Sequence, residues 1–244
     1  MKAFLILWFA LTLLAQAGAP PFVLAQWSAE KGEWNQAISH YSSALEYEGP
    51  SASVYYNLGY CQQQVGDVGR AVLAYERCLA LSPRAADARN NLTKLREETS
   101  LPTTRTLANG SPMFSAWLSR GEWCVVFFVA SALLISSFWW AWFASRRHVR
   151  ILLFAASVVG CALMALAAWI IGERQCEDRL AVVLAADQSL QLSPFPTSEK
   201  LTSCPPGSVV SIAREHADYV FAELTPGNTR GWLRKDSVEK MVSP

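Results

Sequence analysis

Two runs without a single charged side chain, Trp123 to Ser145 and Ile151 to Gly172, are joined only by Arg146-Arg147-His148-Val149-Arg150. The runs are about 23 and 22 residues long, and a helix needs about 20 apolar residues to cross a bilayer. A five-residue connection between two such helices leaves one arrangement, an antiparallel hairpin whose outer ends emerge on the same side. The three arginines of the connection place it on the cytoplasmic side by the bias of short loops. Trp123, Trp139, Trp140, Trp142 and Trp169 gather towards the ends of the runs, where amphipathic rings sit at the lipid–water boundary. Neither run contains Asp, Glu, Lys or Arg, so nothing marks an ion path or proton relay, and the pair reads as an anchor.

The N-terminus reaches the same topology by a separate route. Met1-Lys2 is followed by an almost wholly apolar stretch, Ala3 to Ala15, and then by Ala15-Gln16-Ala17. A cationic start, a short apolar run and small residues at the cleavage positions form the order of a secretory signal. Cleavage is expected after Ala17, or after Ala19, and the other reading is an uncleaved anchor. In each case the following residues leave the cytoplasm, the first span returns the chain and the second exports it again. Apolar residues make up 52% of the chain and charged ones 17%, against about a quarter charged in ordinary soluble proteins; the three apolar blocks account for the excess.

Between the signal and the spans, residues 20–98 are helical in pattern and repeat themselves. A shift of 34 residues places Leu24 on Leu58, Gly32 on Gly66, Ala37 on Ala71, Tyr41 on Tyr75 and Ala44 on Cys78. The period and the small–aromatic–small order resemble the tetratricopeptide repeat (TPR). Tyr55, Leu58, Gly59, Gly66, Asp67, Ala71, Tyr75, Cys78 and Pro83 follow that pattern best. Small residues at 59, 71 and 78 allow two antiparallel helices to cross closely, Gly66-Asp67 turns the chain and caps the next helix, and Pro83 ends it. The first copy is weaker, because Pro20-Pro21 shortens its first helix. Ala86 to Glu98 is a polar third helix suited to capping the stack.

The TPR resemblance implies a peptide site on the face of the first helices, which here carries Phe22, Gln26, Tyr56, Asn57, Tyr60, Gln64 and Asn91. Asn57 and Asn91 are one period apart, at a position where family members hydrogen-bond a peptide backbone. Phe22 and Asp87 stand where a carboxylate-clamp TPR has lysines, so capture of a peptide C-terminus is not expected. The alternative is that these are solvated helix residues without a ligand. Cys61 and Cys78 lie on facing helices, where two buried thiols are preferred over a disulfide.

Residues 99–121 are polar and turn-rich, as a linker is. From residue 178 to 244, short β-rich runs alternate with turns: Ala181–Leu184, Leu190–Leu192, Ser208–Ile212, Tyr219–Glu223 and Gly231–Leu233. Many short strands in so small a segment point to a compact all-β barrel. The pieces Leu190 to Pro194, Pro206 to Val210, Tyr219 to Phe221 and Gly231 to Leu233 resemble a bacterial SH3-like domain. In that resemblance Trp232 and Phe221 belong to the core, while Phe195 and Tyr219 are candidates for binding a peptide or a cell-wall fragment. Cys176 and Cys204 share one side of the membrane and can bridge the barrel to the stalk.

The whole is expected to be multidomain: signal peptide 1–17, all-α TPR pair with a capping helix at 20–98, linker 99–121, transmembrane helices 122–145 and 151–172 around the cytoplasmic loop 146–150, and a small all-β SH3-like barrel at 178–244. As an arrangement it resembles BatE, the TPR member of the Bat aerotolerance proteins. That resemblance implies a scaffold at the bacterial inner membrane with both folded domains in the periplasm. It also implies Bat-type von Willebrand A membrane proteins and a MoxR-type ATPase as neighbours. A receptor for peptidoglycan or peptides is the alternative. A net charge of +1 gives no field to hold nucleic acid. His40, His148 and His216 stand apart from one another and from any cysteine pair, so no metal is expected. The sequence has no phosphate-binding Gly-Lys-Ser/Thr loop, no HExxH and no Gly-x-Ser-x-Gly, and neither a cofactor nor an enzymatic activity is expected.

Overall fold

The computed structural model describes residues 20–101, 118–143, 146–174, 179–225 and 229–241. The expected signal peptide, most of the linker, the turn residues 226–228 and Cys176 lie outside the described residues. The N-terminal part is a stack of five helices: α1 (Pro21–Glu30), α2 (Trp34–Glu48), α3 (Ala52–Gln64), α4 (Val68–Leu81) and α5 (Ala86–Glu98). One local device recurs one period apart. Gly32 and Gly66 both adopt a positive φ, +77° and +78°, which L side chains avoid, so each can close one helix and start the next. The Asp67 carboxylate then accepts the Arg70 N–H at 3.1 Å and caps α4.

Close helix crossing follows from the small residues. A Cβ on Gly59 would sit 3.0 Å from the Tyr75 ring, and Ala37, Ala44, Ala71, Tyr75 and Cys78 are buried with Tyr41 in one core. The third helix is less polar in its packing than its composition implies. α5 buries Ala88, Leu92 and Leu95, together with Arg96. The Arg96 guanidinium donates to the Glu76 carboxylate at 2.8 Å, with both side chains almost wholly enclosed. A buried ion pair of this kind fixes α5 in one register on α4, since leaving either charge alone inside would be costly.

α6 (Arg120–Phe143) and α7 (Arg147–Arg174) have 24 and 28 residues, about 36 and 42 Å at 1.5 Å per residue. Both are long and apolar enough to cross a membrane. Ser131 Oγ reaches Met164 Sδ at 3.4 Å and Ser137 Oγ meets Ser157 Oγ at 2.8 Å. Later positions on α6 thus meet earlier positions on α7, which makes the pair antiparallel. Gly160 lies against the Ala130 carbonyl, and small or hydroxyl-bearing contacts are what two helices use when lipid removes the hydrophobic drive between them. Phe128, Leu133, Phe138, Trp142, Leu152 and Phe154 point outward and are exposed. α6 starts with a reciprocal cap: the Ser119 N–H donates to Glu122 at 2.7 Å, and Ser119 Oγ accepts the Glu122 N–H at 3.3 Å.

The C-terminal part is one antiparallel sheet of seven strands, β1 (Leu180–Val183), β2 (Gln188–Gln191), β3 (Lys200–Cys204), β4 (Val209–His216), β5 (Tyr219–Thr225), β6 (Arg230–Arg234) and β7 (Val238–Lys240). Their order is β3-β2-β6-β5-β4-β1-β7. The five expected strands are present. β3 and β7 are additions, one an exposed edge strand and the other only three residues long, so neither shows the apolar alternation by which strands are read from sequence. Where a barrel was expected, hydrogen bonding among the described residues defines a sheet with β3 and β7 at its two edges. Alternation also corrects the core. Val220, Ala222 and Leu233 are buried, so Phe221 and Trp232, one residue out of phase, lie on the opposite face. There they are half-buried and pack on each other, with ring centroids 5.2 Å apart.

The two folded parts, separated in sequence by the hairpin, pack directly on each other. Val182 belongs to the same buried cluster as the core of the five-helix stack, and Leu184 and Met241 lie against it. α4 meets the β1 end so closely that a Cβ on Gly69 would stand 2.8 Å from the Leu184 Cα and carbonyl oxygen. Arg77 completes the joint: it donates to the Glu239 carboxylate at 2.8 Å and to the carbonyls of Lys240 and Met241 at 2.8 and 3.1 Å. Its guanidinium carbon also lies 5.8 Å from the centre of the Tyr55 ring. Domains that touch lie on the same side of any bilayer the hairpin crosses. Gly69→Ala should therefore separate or strain this joint and lower stability by about 1–3 kcal/mol. Hydrogen exchange in β1 and α4 of the full chain would rise in parallel; unchanged exchange in both would contradict the close packing.

Candidate functional site

α3 presents two different faces. Val54, Tyr55, Leu58, Cys61 and Gln62 turn inward and are buried. Tyr56, Asn57, Tyr60 and Gln64 lie elsewhere on the helix, half-buried or exposed. The neighbouring α5 brings Asn91 to this side, and its amide nitrogen lies 3.5 Å from both the Tyr56 and the Tyr75 hydroxyls. At that distance the bonds are long, which leaves the Asn91 amide with capacity for another partner. The Tyr75 hydroxyl donates to Gln63 Oε1 at 2.9 Å, and the Tyr56 and Tyr75 rings are 6.2 Å apart. Burial pushes the Tyr75 phenol well above its ordinary range, so it stays a neutral donor at any physiological pH.

The expected peptide-binding residues thus fall into separate groups. Tyr56 and Asn91 come together directly, and Asn91 also meets Tyr75, whose hydroxyl is held by Gln63. Tyr60 instead sets its ring edge-on to Trp34, at 5.9 Å. Asn57 is half-buried and Gln64 is exposed. Phe22 is occupied by the fold, since it packs edge-on against Tyr41 at 5.8 Å, and Gln26 is exposed. Gln63 and Trp34 were missed by sequence reasoning because neither falls at a position that the 34-residue match requires.

In the sheet, Tyr219 and Phe195 lie at one end. Tyr219 lines an open cleft of about 670 Å³ with Pro196, Asp218, Arg234, Lys235 and Asp236, and Phe195, next in sequence to Pro196, is 62% exposed. Tyr219 pairs with Arg234 across β5 and β6, and Phe221 with Trp232, so these side chains share one face. His216 adds its ring 6.1 Å from Trp232. The cleft carries charge of both signs: Arg234 is bridged to Asp236, and Lys235 donates to Glu215 at 2.8 Å. These bridges hold the Glu215 carboxyl below its ordinary range and the Lys235 and Arg234 cations above theirs. The signal for the aromatic face was available in the alternation of β5 and β6, had Phe221 and Trp232 been read against Val220 and Leu233.

A family model described as a TPR repeat matches residues 29–66, from the end of α1 through α3 to Gly66. The chain therefore carries a TPR repeat, and repeats of this kind serve protein–protein interaction. No curated protein matches the chain.

Cys61, Cys78 and Cys204 are free, buried thiols. Burial pushes Cys61 up to about 11 and raises Cys78 as well. An unfolded thiol ionises near 8.5, so between that pH and about 11 the unfolded chain releases protons that the folded one retains. Stability is complete below that window and falls as pH rises through it. Thermal unfolding followed from pH 8 to 11 should show this loss, and a Cys61→Ala variant should show a smaller one.

Proposed function

We propose that this chain is a non-enzymatic, membrane-anchored adaptor that presents its TPR stack and its SH3-like sheet together on the periplasmic face of a bacterial inner membrane. Its partners in this reading are Bat-type von Willebrand A membrane proteins, in an assembly with a MoxR-type ATPase linked to aerotolerance. The observation that carries the adaptor reading is the TPR repeat at residues 29–66, whose Tyr56 on α3 stands beside Asn91 of α5 as adjacent polar groups.

The membrane part rests on the outward side chains of α6 and α7. A continuous shell containing Phe128, Phe138, Trp139, Trp140 and Trp142 exposed by 66–82% is unstable in water and natural in lipid. The arginine-bearing turn at Arg146–Arg150 favours a cytoplasmic position for that end, which puts the docked domains outside. The periplasmic step adds the secretory pattern of residues 1–17. Alkaline phosphatase, active only after export, is expected to be active when fused after Pro244 and inactive when inserted at Val149. The reverse pattern would invert the topology.

A second reading is favoured by the cleft at Tyr219: this aromatic ring and the mixed charges beside it suit a peptidoglycan or peptide ligand. The two readings differ in outcome. Affinity purification of the full chain from membranes should recover von Willebrand A-type proteins, and Asn57→Lys with Gln64→Glu should reduce that recovery at least about tenfold, about 1.4 kcal/mol. Recovery unchanged by that pair would overturn the adaptor role of this face. Retention on purified sacculi, abolished by Tyr219→Ala, would assign the chain to the second reading.

A further inference from the structure

A second groove lies on the other side of the TPR stack, where α2, α3 and α4 meet β7. It measures about 250 Å³. Leu45, Leu58 and Leu73 give it an apolar wall. On α3 it uses Tyr55, Leu58 and Gln62, spaced as one helical face, about 140° round the helix from Asn57 and Gln64. It is therefore separate from the first-helix face. Gln62 is the unusual member. The residue is only 7% exposed, and its Oε1 has no hydrogen-bond partner. A buried amide oxygen left unsatisfied costs about 1–3 kcal/mol; the oxygen itself is enclosed, while the side chain that carries it lines an open groove, so rotation of the amide presents it to an incoming donor.

The charges at the rim are unequal. Arg77 is already committed to Glu239 and two carbonyls of β7 and beyond. Arg70 approaches Asp67 only at 3.5 Å, and its side chain is 61% exposed. The groove thus offers an apolar wall, an amide that needs a partner and an outward guanidinium.

We propose that this groove binds an extended segment of a partner protein carrying one bulky apolar side chain followed by an acidic residue. The apolar side chain enters against Leu45, Leu58 and Leu73. A backbone N–H satisfies Gln62 Oε1, and the carboxylate pairs with Arg70, where charge complementarity and the fork of the guanidinium favour it. A peptide backbone suits the amide well because it offers a donor and an acceptor side by side. The β7 end of the groove makes the docked sheet part of the site, so the site exists only while the two domains are joined.

The test uses the full chain in detergent micelles and a fluorescein-labelled pentapeptide, Gly-Leu-Asp-Gly-Gly-amide, followed by anisotropy. Saturable binding is expected. Replacing the Asp of the peptide by Asn, or Arg70→Glu in the protein, should weaken it at least about tenfold. Ser42→Trp places an indole in the groove from an exposed position on α2 and should block binding while preserving the fold. Asn57→Lys with Gln64→Glu should leave it unchanged, which separates this site from the first-helix face. Absence of saturable binding up to millimolar peptide, or equal binding by the Arg70→Glu and Ser42→Trp variants, would overturn the proposal. So would light scattering that shows the chain self-associating through the same residues, with Arg70→Glu restoring the monomer, since the occupant would then be a second copy.

Discussion

The joint between α4 and the β1–β7 end of the sheet sets most of what this molecule can do. It is made at backbone distance, over Gly69, and is locked by Arg77, which satisfies two carbonyls and one carboxylate of the β7 segment while lying over Tyr55. The Arg77 side chain is only 17% exposed while its partner Glu239 is 47% exposed, so water screens the ion pair and the grip rests as much on the two carbonyl bonds. Val182 enters the core of the five-helix stack, and the two parts share buried surface instead of hanging from a flexible tether. A repeat stack this short needs its open ends covered. α5 covers one side through the Arg96–Glu76 pair, and the sheet covers α4.

The hairpin has to accommodate this joint. Because α6 and α7 run antiparallel, they return the chain to the side from which it left, and only then can the sheet reach α4. Arg84 reinforces the geometry from the TPR side, since its guanidinium lies 3.1 Å from the Glu122 carboxylate at the start of α6. The same Glu122 belongs to the reciprocal cap with Ser119. The first turn of α6 and the α4–α5 connection are thereby linked, through a pair whose side chains are 66% and 45% exposed. Rotation of one domain against the other would break several charged hydrogen bonds at once.

Much of this was legible in the chain because it is local. The 34-residue match placed the glycines that turn the TPR helices, and Ala86–Glu98 was readable as a helix of its own. Charge-free length alone defined α6 and α7. Legibility failed where a residue's role depends on a remote neighbour. Arg96 reads as one more polar side chain of α5 until Glu76 is seen beside it. β7 is too short for any pattern, yet it forms the sheet edge that Arg77 grips. Phe22 lies on the expected binding face in the repeat pattern but is drawn into contact with Tyr41. Of the candidate site, Tyr56 and Asn91 do come together, whereas Tyr60 turns to Trp34, because ring packing within the stack is settled by which helices are adjacent.

By itself, then, the sequence determined the elements and their chemistry: a TPR repeat, two apolar helices with an arginine-bearing turn, and a run of short strands. These follow from periodicity, charge exclusion and turn residues, all of which act within a few positions of one another. The tertiary structure decided which surfaces remain available. It spent the α4 face on the sheet, turned Phe221 and Trp232 outward by the phase of their strands, and left Gln62 lining a groove without a partner. The contact of α4 with the sheet joins residues more than a hundred positions apart, which no local pattern encodes, whereas the phase of Phe221 and Trp232 follows from strand alternation.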